Sequence, residues 1–334
     1  MHFSKRLLHW YDEHQRTLPW RETSDAYRIL VSEIMLQQTR VETVKFRYEE
    51  FLGRYPDAFH LAGANEEEVM KAWEGLGYYR RAANLHRAAK QMAAQPPKTY
   101  AELLRLPGIG PYTAGAVASI AFGEARAAVD GNSLRVFARH EGITTSIDET
   151  KTKKEITAIH EAYLDPGRPG DFNQAIMDLG AMICVPNVEP RCDECPVGED
   201  CKARALGNAT ELPVRSPKKP RTKKKKTVFL IEHNNRCALE KRPDGLLGGL
   251  YELYNTEGLL DERRAMCVLR EAGFDFNRIE KMGEKKHIFT HEEWTMRGYS
   301  VKVEEEKANY IWADESELEK RYPIATAFRK WIDE

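Results

Sequence analysis

Two carboxylates of this chain lie in sequence contexts that favour opposite protonation states. Glu33 lies within residues 31–38, where its neighbours on the helix include the large apolar Val31, Ile34, Met35 and Leu36, so burial is expected to raise its pKa and keep the carboxyl protonated near neutral pH. Asp130 precedes a predicted helix over residues 133–140, and the positive N-terminal end of a helix favours an ionised carboxylate. One neutral and one charged carboxyl together suit the cleavage of a glycosidic bond. Taken alone, Asp130 fits a helix cap better than a catalyst.

The segment Leu106–Pro111 lies between two helical patterns and contains Gly108 and Gly110. Glycines adopt backbone angles that other residues resist, so successive N–H groups can point outward where the next helix begins. Such a cradle binds an anion, for example a DNA phosphate, without a charged side chain. A tight turn without any ligand explains the same pattern.

Four of the six cysteines form a short cluster, with gaps of seven, two and five residues: Cys184, Cys192, Cys195 and Cys201. Four thiolates so close in sequence can converge on one centre, and sulfur ligands suit zinc or an iron–sulfur cluster. Zinc ribbons usually pair two Cys-x2-Cys knuckles, and this segment has one, which favours the cluster over zinc without excluding zinc.

The elements that position these residues are predicted to be helices before residue 213 and a mixture of strands and helices after it. Helical patterns cover residues 26–38, 80–94 and 111–122, and the small residues of 111–122 predict very close packing against a neighbour. Strands are predicted over 227–231, 249–253 and 294–303, and helices over 258–272 and 325–332. We therefore expect a mainly α domain over residues 1–212 that includes the cysteine loop 184–201, a linker over 213–226, and a smaller α/β domain over 227–334.

The positive charge of the chain is concentrated in one short segment. The net charge is −1, yet residues 215–226 contain eight Lys or Arg and no Asp or Glu, together with Pro217 and Pro220. This composition predicts an extended linker, which is either a solvated tether or a tether that also contacts phosphates. No apolar run suits a bilayer or a signal peptide, so a cytoplasmic protein without a membrane partner is expected, nucleoid-associated if it is bacterial.

The hairpin, Asp130 and the cysteines, in this order, resemble the helix-hairpin-helix glycosylases that include endonuclease III. Longer segments resemble the MutY-type adenine glycosylases, namely residues 18–21, 32–41, 73–79, 129–132 and 172–184. Lyases of the endonuclease III type carry a lysine just after the hairpin, where this chain has Tyr112. The resemblance implies a monofunctional adenine DNA glycosylase of base excision repair with a [4Fe-4S] cluster. It would act as a monomer on double-stranded DNA and hydrolyse the N-glycosidic bond of adenine opposite 8-oxoguanine or guanine.

The same resemblance implies a role for individual residues. Glu33 matches the acid that protonates adenine and later activates water, Asp130 matches the carboxylate that stabilises or traps the sugar cation, and Tyr112 and Asn132 match groups that orient them. Five residues match the wall of the adenine pocket in the family: Arg16, Leu18, Trp20, Arg21 and Gln174. Five more match residues that contact DNA: Gln37, Gln38, Tyr78, Gly108 and Gly110. Of these, Gln38 and Tyr78 match residues that enter the base stack. Leu18, Trp20 and Tyr78 fit ordinary packing roles as well.

Residues 227–334 resemble the MutT/Nudix-like module that recognises 8-oxoguanine, through segments 245–253 and 287–291. The resemblance implies lesion recognition by Phe289, Thr290 and His291. A Nudix hydrolase needs several glutamates on its helix to hold Mg²⁺, and residues 263–273 offer Glu271 alone, so binding without hydrolysis is expected.

Two positions depart from the family pattern. The first gap between cysteines has seven residues where six are usual, and Arg191 is the single basic residue of that loop. Thr290 stands where a serine is usual, and its hydroxyl preserves the same hydrogen-bonding capacity.

Two other functions fit parts of the sequence. A non-catalytic sensor of DNA damage would keep the fold and the cysteines but would not need Glu33 and Asp130. A bifunctional pyrimidine glycosylase and lyase would need a lysine at the position of Tyr112.

Overall fold

The computed structural model describes residues 3–217, 219–243 and 245–333. Contacts divide these residues into two compact units, residues 3–63 with 84–217 and residues 64–83 with the described part of 219–333. Lys218, part of the predicted linker, lies outside the described residues, and the predicted boundaries at 212 and 227 stay a prediction. The grouping of residues 64–83 with the C-terminal unit has no signal in the sequence.

The described residues up to 217 contain helices and no strand. The helices are α1 (Phe3–His14), α2 (Ala26–Leu36), α3 (Val41–Arg54), α4 (Ala58–Gly63), α5 (Glu66–Ala72), α6 (Arg80–Ala94), α7 (Tyr100–Leu103), α8 (Pro111–Phe122), α9 (Gly131–Glu141), α10 (Thr150–Tyr163), α11 (Pro169–Met182) and α12 (Lys202–Leu206). Short 3-10 turns cover Pro19–Arg21 and Cys192–Glu194. The predicted helices near residues 26, 80, 111 and 133 are confirmed. No helix in the described part of the chain is long and apolar enough to cross a bilayer.

Helices α2 and α8 lie in the interior of the N-terminal unit. Nearly every residue of α2 from Tyr27 to Met35 is buried, which carries Glu33 inside with its apolar neighbours. In α8, a Cβ at Gly115 would come within 2.4 Å of the Ala127 carbonyl oxygen. The predicted close packing of this small-residue helix is therefore confirmed.

The C-terminal unit is built on a mixed sheet. Its elements are β1 (Thr222–His233), β2 (Arg236–Lys241), β3 (Tyr251–Glu252), β4 (Asn255–Glu257), α13 (Glu262–Glu271), β5 (Phe276–Ile288), β6 (Glu292–Val303), β7 (Ile311–Ala313), α14 (Glu315–Lys320) and α15 (Thr326–Ile332). The strand order is β3-β2-β1-β6-β5, with β4 paired to β1 and β7 paired to β2. Strands β1 and β6 run parallel, whereas the other pairs of named strands are antiparallel.

Strand β1 begins earlier than its apolar residues indicate. Its buried run, Thr227–Ile231, matches the predicted strand, but the lysine-rich residues 222–226 pair with β6 as well. The sequence analysis places these residues in the linker because of their charge and the prolines that precede them. Backbone hydrogen bonds place them in the sheet, because a strand needs a partner and not an apolar side chain at every position.

Candidate active site

A cavity of about 600 Å³ opens in the N-terminal unit. It has the size of a small-molecule site. The structure brings eleven of the predicted residues to its wall: Arg16, Leu18, Trp20, Arg21, Glu33, Gln37, Gln38, Tyr112, Asp130, Asn132 and Gln174. These residues come from three separate stretches of the unit's sequence, near residues 16–38, 112–132 and 174, so the tertiary fold assembles the cavity.

Glu33 is the buried carboxyl of this cavity, with 4% of its surface exposed. Tyr112, in the first turn of α8, donates its phenol O–H to Glu33 Oε2 over 2.5 Å. Burial raises the pKa of Glu33 to about 7, and the charge of Asp130 adds to this rise, while the Tyr112 hydrogen bond and the charge of Arg21 oppose it. Glu33 therefore exchanges a proton near neutral pH.

Asp130 caps the N-terminus of α9. Its Oδ1 accepts from the Ser133 backbone N–H at 2.7 Å and from the Ser133 hydroxyl at 3.0 Å. Its Oδ2 accepts from the Asn132 amide at 2.6 Å. The cap role expected from the sequence is thus present, and the same carboxylate lines the cavity that holds Glu33.

Arg135 holds Asn132 in place, a role that the sequence analysis missed. One guanidinium nitrogen of Arg135 donates to Asn132 Oδ1 at 2.9 Å and to the Gly180 carbonyl at 2.8 Å, and Nε donates to the Cys184 carbonyl at 2.8 Å. Because the amide oxygen of Asn132 is occupied in this way, its NH₂ group faces Asp130. Arg135 lies three residues after Asn132 on the amphipathic helix α9, so the two side chains share one face. This spacing is the signal in the sequence that could have identified Arg135.

The role of Asp178 was not predicted either, although the residue lies within segment 172–184, which resembles the MutY-type glycosylases. This residue of α11 is fully buried and accepts from Arg16 Nε at 2.6 Å and from Arg21 Nη2 at 2.7 Å. The two arginines predicted to line the adenine pocket line this cavity, and their guanidinium groups bind Asp178. These two ion pairs join the segment that follows α1 to helix α11 and hold this wall of the cavity in place.

The glycine hairpin has the predicted backbone, one that other residues resist, at Gly108 and not at Gly110. Gly108 has a φ of +76°, and a Cβ there would come within 2.4 Å of the Asn84 side chain. Gly110 is the extended N-cap of α8, and Pro111 begins the helix. Positive φ and the close approach both require glycine at position 108.

Tyr78 and the predicted lesion loop lie in the C-terminal unit. Tyr78, with a φ of +47°, is 48% exposed, and its phenol oxygen lies 2.6 Å from Thr290 Oγ1. Phe289 packs edge-on to the buried Trp294, whereas Thr290 and His291 are exposed. The structure thus groups these predicted DNA-contacting residues in one unit.

The four cysteines surround the turn between α11 and α12. Cys184 follows α11, Cys192 and Cys195 bound a 3-10 turn, and Cys201 caps α12. Burial raises the pKa of Cys195 to about 12, and the charges of the other three cysteines add to the rise, so all four lie within electrostatic reach of one another. Arg139 Nη1 lies 3.3 Å from Cys184 Sγ.

The metal centre expected at the four cysteines stays a prediction. Across residues 3–217, 219–243 and 245–333, no three His, Cys, Asp or Glu side chains are grouped tightly enough to hold one metal ion. In a four-iron cluster each cysteine binds a different iron, so the sulfurs need not meet at one point. Arg191, the basic residue of the first gap, donates to the Met182 carbonyl and to Glu194 and is engaged within its own loop.

Comparisons with known proteins identify the family. Residues 31–161 match the HhH-GPD superfamily base excision DNA repair protein, and residues 227–334 match the NUDIX domain. An adenine DNA glycosylase of Mus musculus is 35% identical over 375 residues, covering 92% of this chain and 72% of the relative. One of Buchnera aphidicola subsp. Acyrthosiphon pisum is 31% identical over 294 residues, covering 86% and 83%.

The chain belongs to the adenine DNA glycosylase family. The predicted family is confirmed. Members of this family differ in length: an adenine DNA glycosylase of Arabidopsis thaliana is 38% identical over 344 residues, and the alignment covers 85% of this chain but 54% of that relative.

The helical unit of this adenine DNA glycosylase family member has the endonuclease III fold. A thermostable thymine-DNA glycosylase aligns with a TM-score of 0.55 at 30% identity, covering 61% of this chain and 95% of that chain. A non-covalent endonuclease III–DNA complex aligns at 0.51 and 20% identity, with coverage of 61% and 94%, a likeness of fold alone. Together with the NUDIX match, this confirms the predicted fold class of a helical glycosylase domain followed by a Nudix-like domain.

Proposed function

We propose that this chain excises adenine opposite 8-oxoguanine or guanine in double-stranded DNA by hydrolysing the N-glycosidic bond. The observation that carries the proposal is Glu33, a buried carboxyl with a pKa of about 7 in the same cavity as Asp130. Family membership supports the choice of adenine.

The two carboxyls divide the chemistry. Protonated Glu33 donates its proton to a ring nitrogen of the flipped adenine, so the base leaves as a neutral molecule and the bond electrons go with it. Asp130 stabilises the positive charge that develops on the sugar. Glu33, now ionised, accepts a proton from the attacking water, which completes the hydrolysis and restores the acid.

Two competing functions are disfavoured by the same residues. A damage sensor has no need of a buried acid held by Tyr112, since burial of a carboxyl costs stability. A lyase needs a nucleophilic amine at the position of Tyr112, whose phenol O–H instead donates a hydrogen bond to Glu33.

The DNA contacts are proposed from the backbone and from polar side chains. Gly108 and Gly110 precede the N-terminus of α8, where backbone N–H groups and the helix dipole suit a phosphate. Gln37 and Gln38 at the end of α2 line the cavity mouth, and we propose that Gln38 and Tyr78 enter the base stack. Phe289, Thr290 and His291 would then recognise the base opposite adenine.

We further propose that Cys184, Cys192, Cys195 and Cys201 hold a [4Fe-4S] cluster. The donor chemistry supports it, because four half-buried cysteines close together in sequence supply the soft sulfur ligands that bind iron–sulfur clusters as thiolates. When bound, such a group supplies rigid cross-links between the ends of the loop. The measurement is visible absorbance with iron, sulfide and zinc analysis; stoichiometric zinc without sulfide would overturn the proposal.

The excision assay uses duplexes with adenine opposite 8-oxoguanine, guanine or thymine under single-turnover conditions. We expect alkali-labile sites in the first two, no strand cleavage before alkali, and no adduct with borohydride. Glu33→Gln should bind DNA and lose excision. Intact adenine in the 8-oxoguanine duplex, with protein that is folded and fully loaded with metal, would contradict the proposal.

A further inference from the structure

The hairpin between β5 and β6 is held at three consecutive residues by other parts of the chain. Arg221 Nε donates to the Phe289 carbonyl at 3.0 Å. The Tyr78 phenol pairs with the Thr290 hydroxyl at 2.6 Å, and the Thr222 N–H donates to the His291 carbonyl at 2.9 Å. All these residues belong to the C-terminal unit, so the contacts lie within one compact body.

The aromatic side chains at the base of the hairpin also pack against one another. The Phe289 ring lies 4.5 Å from the His287 ring and 4.7 Å from that of Trp294, which is buried. The turn itself is closed by a hydrogen bond from the Phe289 N–H to the Glu292 carbonyl at 2.8 Å. The backbone of residues 289–291 is therefore set, while Thr290 and His291 remain exposed.

Arg221 differs from Lys219, Lys224 and Lys226 in what it binds. Lys224 pairs with the Glu292 carboxylate at 2.8 Å, and the Lys226 ammonium lies over the Trp294 ring. Lys219 is exposed to solvent. The Arg221 guanidinium instead binds a main-chain oxygen of the loop, and its remaining N–H groups suit a phosphate oxygen at the same time, because guanidinium carries five donors in a planar fork.

We propose that Arg221 is a positioning residue for the loop Phe289–His291, so that the basic segment takes part in lesion recognition and is more than a tether. The inference rests on the proposed function. An 8-oxoguanine differs from guanine by one carbonyl and one N–H group, so a site that reads this difference depends on a few well-placed hydrogen bonds. An anchor that keeps the loop backbone in position affects that discrimination directly, whereas a phosphate contact affects both duplexes alike.

The test compares Arg221→Met with Lys219→Met, which removes the same charge two residues away. Methionine is chosen because it is unbranched and has no N–H donor, whereas the amide of a glutamine could replace Arg221 Nε. Binding is measured at several salt concentrations to duplexes that carry a non-cleavable adenine analogue opposite 8-oxoguanine or guanine. Lys219→Met should weaken both complexes by the same factor and reduce the salt slope by about 1 if it contacts a phosphate. Arg221→Met should lower the ratio of the two affinities about two- to tenfold, the effect of one lost hydrogen bond.

Arg221→Lys serves as the conservative variant, because an ammonium can still donate to the Phe289 carbonyl; it should keep the ratio within about twofold of the parent protein. A ratio unchanged in Arg221→Met, with both affinities lowered equally, would overturn the inference while leaving adenine excision intact. Adenine left in place by the parent protein in every duplex would instead overturn the proposed function. The two failures are therefore distinguishable.

Discussion

The phenol of Tyr112 donates a hydrogen bond to Glu33 Oε2 over 2.5 Å. The contact joins α8 to α2 across the cavity, at the position where related lyases carry a lysine. Burial raises the pKa of Glu33, and the hydrogen bond from Tyr112 partly opposes this rise. Burial and the neighbouring charge of Glu33 raise the pKa of Tyr112 well above its usual range. Tyr112 therefore keeps its proton near neutral pH and remains a donor, and Glu33 is the group that titrates.

Removal of this hydroxyl should shift the pH profile of excision. In the parent protein the rate is expected to fall as the pH rises through about 7, since only protonated Glu33 is an acid. In Tyr112→Phe the bond that lowers the pKa of Glu33 is lost, so the alkaline limb should move to higher pH. The plateau rate should fall about tenfold from lost orientation of the acid.

The matched control is Tyr27→Phe on the same helix as Glu33, which loses a buried phenol bond to the Tyr55 carbonyl. Its pH profile should coincide with that of the parent. Single-turnover rates between pH 5 and 9 measure both; an alkaline limb at lower pH in Tyr112→Phe would contradict the assignment.

The pairing of Asp178 with Arg16 and Arg21 should contribute strongly to stability. Asp178 is fully buried, so Asp178→Asn leaves guanidinium charge without its partner and should cost about 3 kcal/mol in the free energy of unfolding. Asp12→Asn breaks a pair with Arg168 in which 48% and 40% of the side-chain surfaces are exposed, and should cost less than about 1 kcal/mol. Urea unfolding of the two variants compares them, and equal losses would show that burial of Asp178 is unimportant.

His160 should make the protein sensitive to mild acid. Burial lowers its pKa from 6.5 to about 3, so above pH 6.5 the ring is neutral in both states and contributes nothing. As the pH falls below 6.5 the unfolded chain takes up a proton that the folded chain refuses, and stability decreases by up to about 1.4 kcal/mol per pH unit until about pH 3.

His160→Phe should remove that slope, because the ring lies among Phe137 and Phe172 and a phenyl group suits the same site. The comparison is the free energy of unfolding at pH 5.5 and 7.5. His9→Phe, at an exposed position, should retain the slope of the parent. A slope preserved in His160→Phe would assign the acid sensitivity elsewhere.

Two helical glycines should respond oppositely to alanine. At Gly115 a Cβ would meet the Ala127 carbonyl at 2.4 Å, so Gly115→Ala must push α8 away from residues 127–128 and should destabilise by about 1–3 kcal/mol. At Gly53 nothing lies within 4 Å of the added Cβ, and Gly53→Ala should stabilise α3 by up to about 1 kcal/mol. Thermal unfolding distinguishes them, and a stabilised Gly115→Ala would contradict the close contact.

The sequence by itself predicted the features that depend on neighbouring residues. Helices α2, α6 and α8 follow from composition and periodicity within one segment, and the surroundings of Glu33 predicted its raised pKa because its neighbours along α2 are apolar. The strand β5 was not predicted, because register shifts near residues 276–283 interrupt the alternation that marks a strand.

Only the tertiary structure decided the relationships between distant segments. Asp178 pairs with arginines more than 150 positions earlier in the chain, residues 64–83 group with the C-terminal unit, and Arg221 binds the loop at Phe289. Local propensity carries no information about which distant carbonyl or carboxylate a guanidinium will bind. Such partners are chosen when burial removes water and each polar group must find a protein partner.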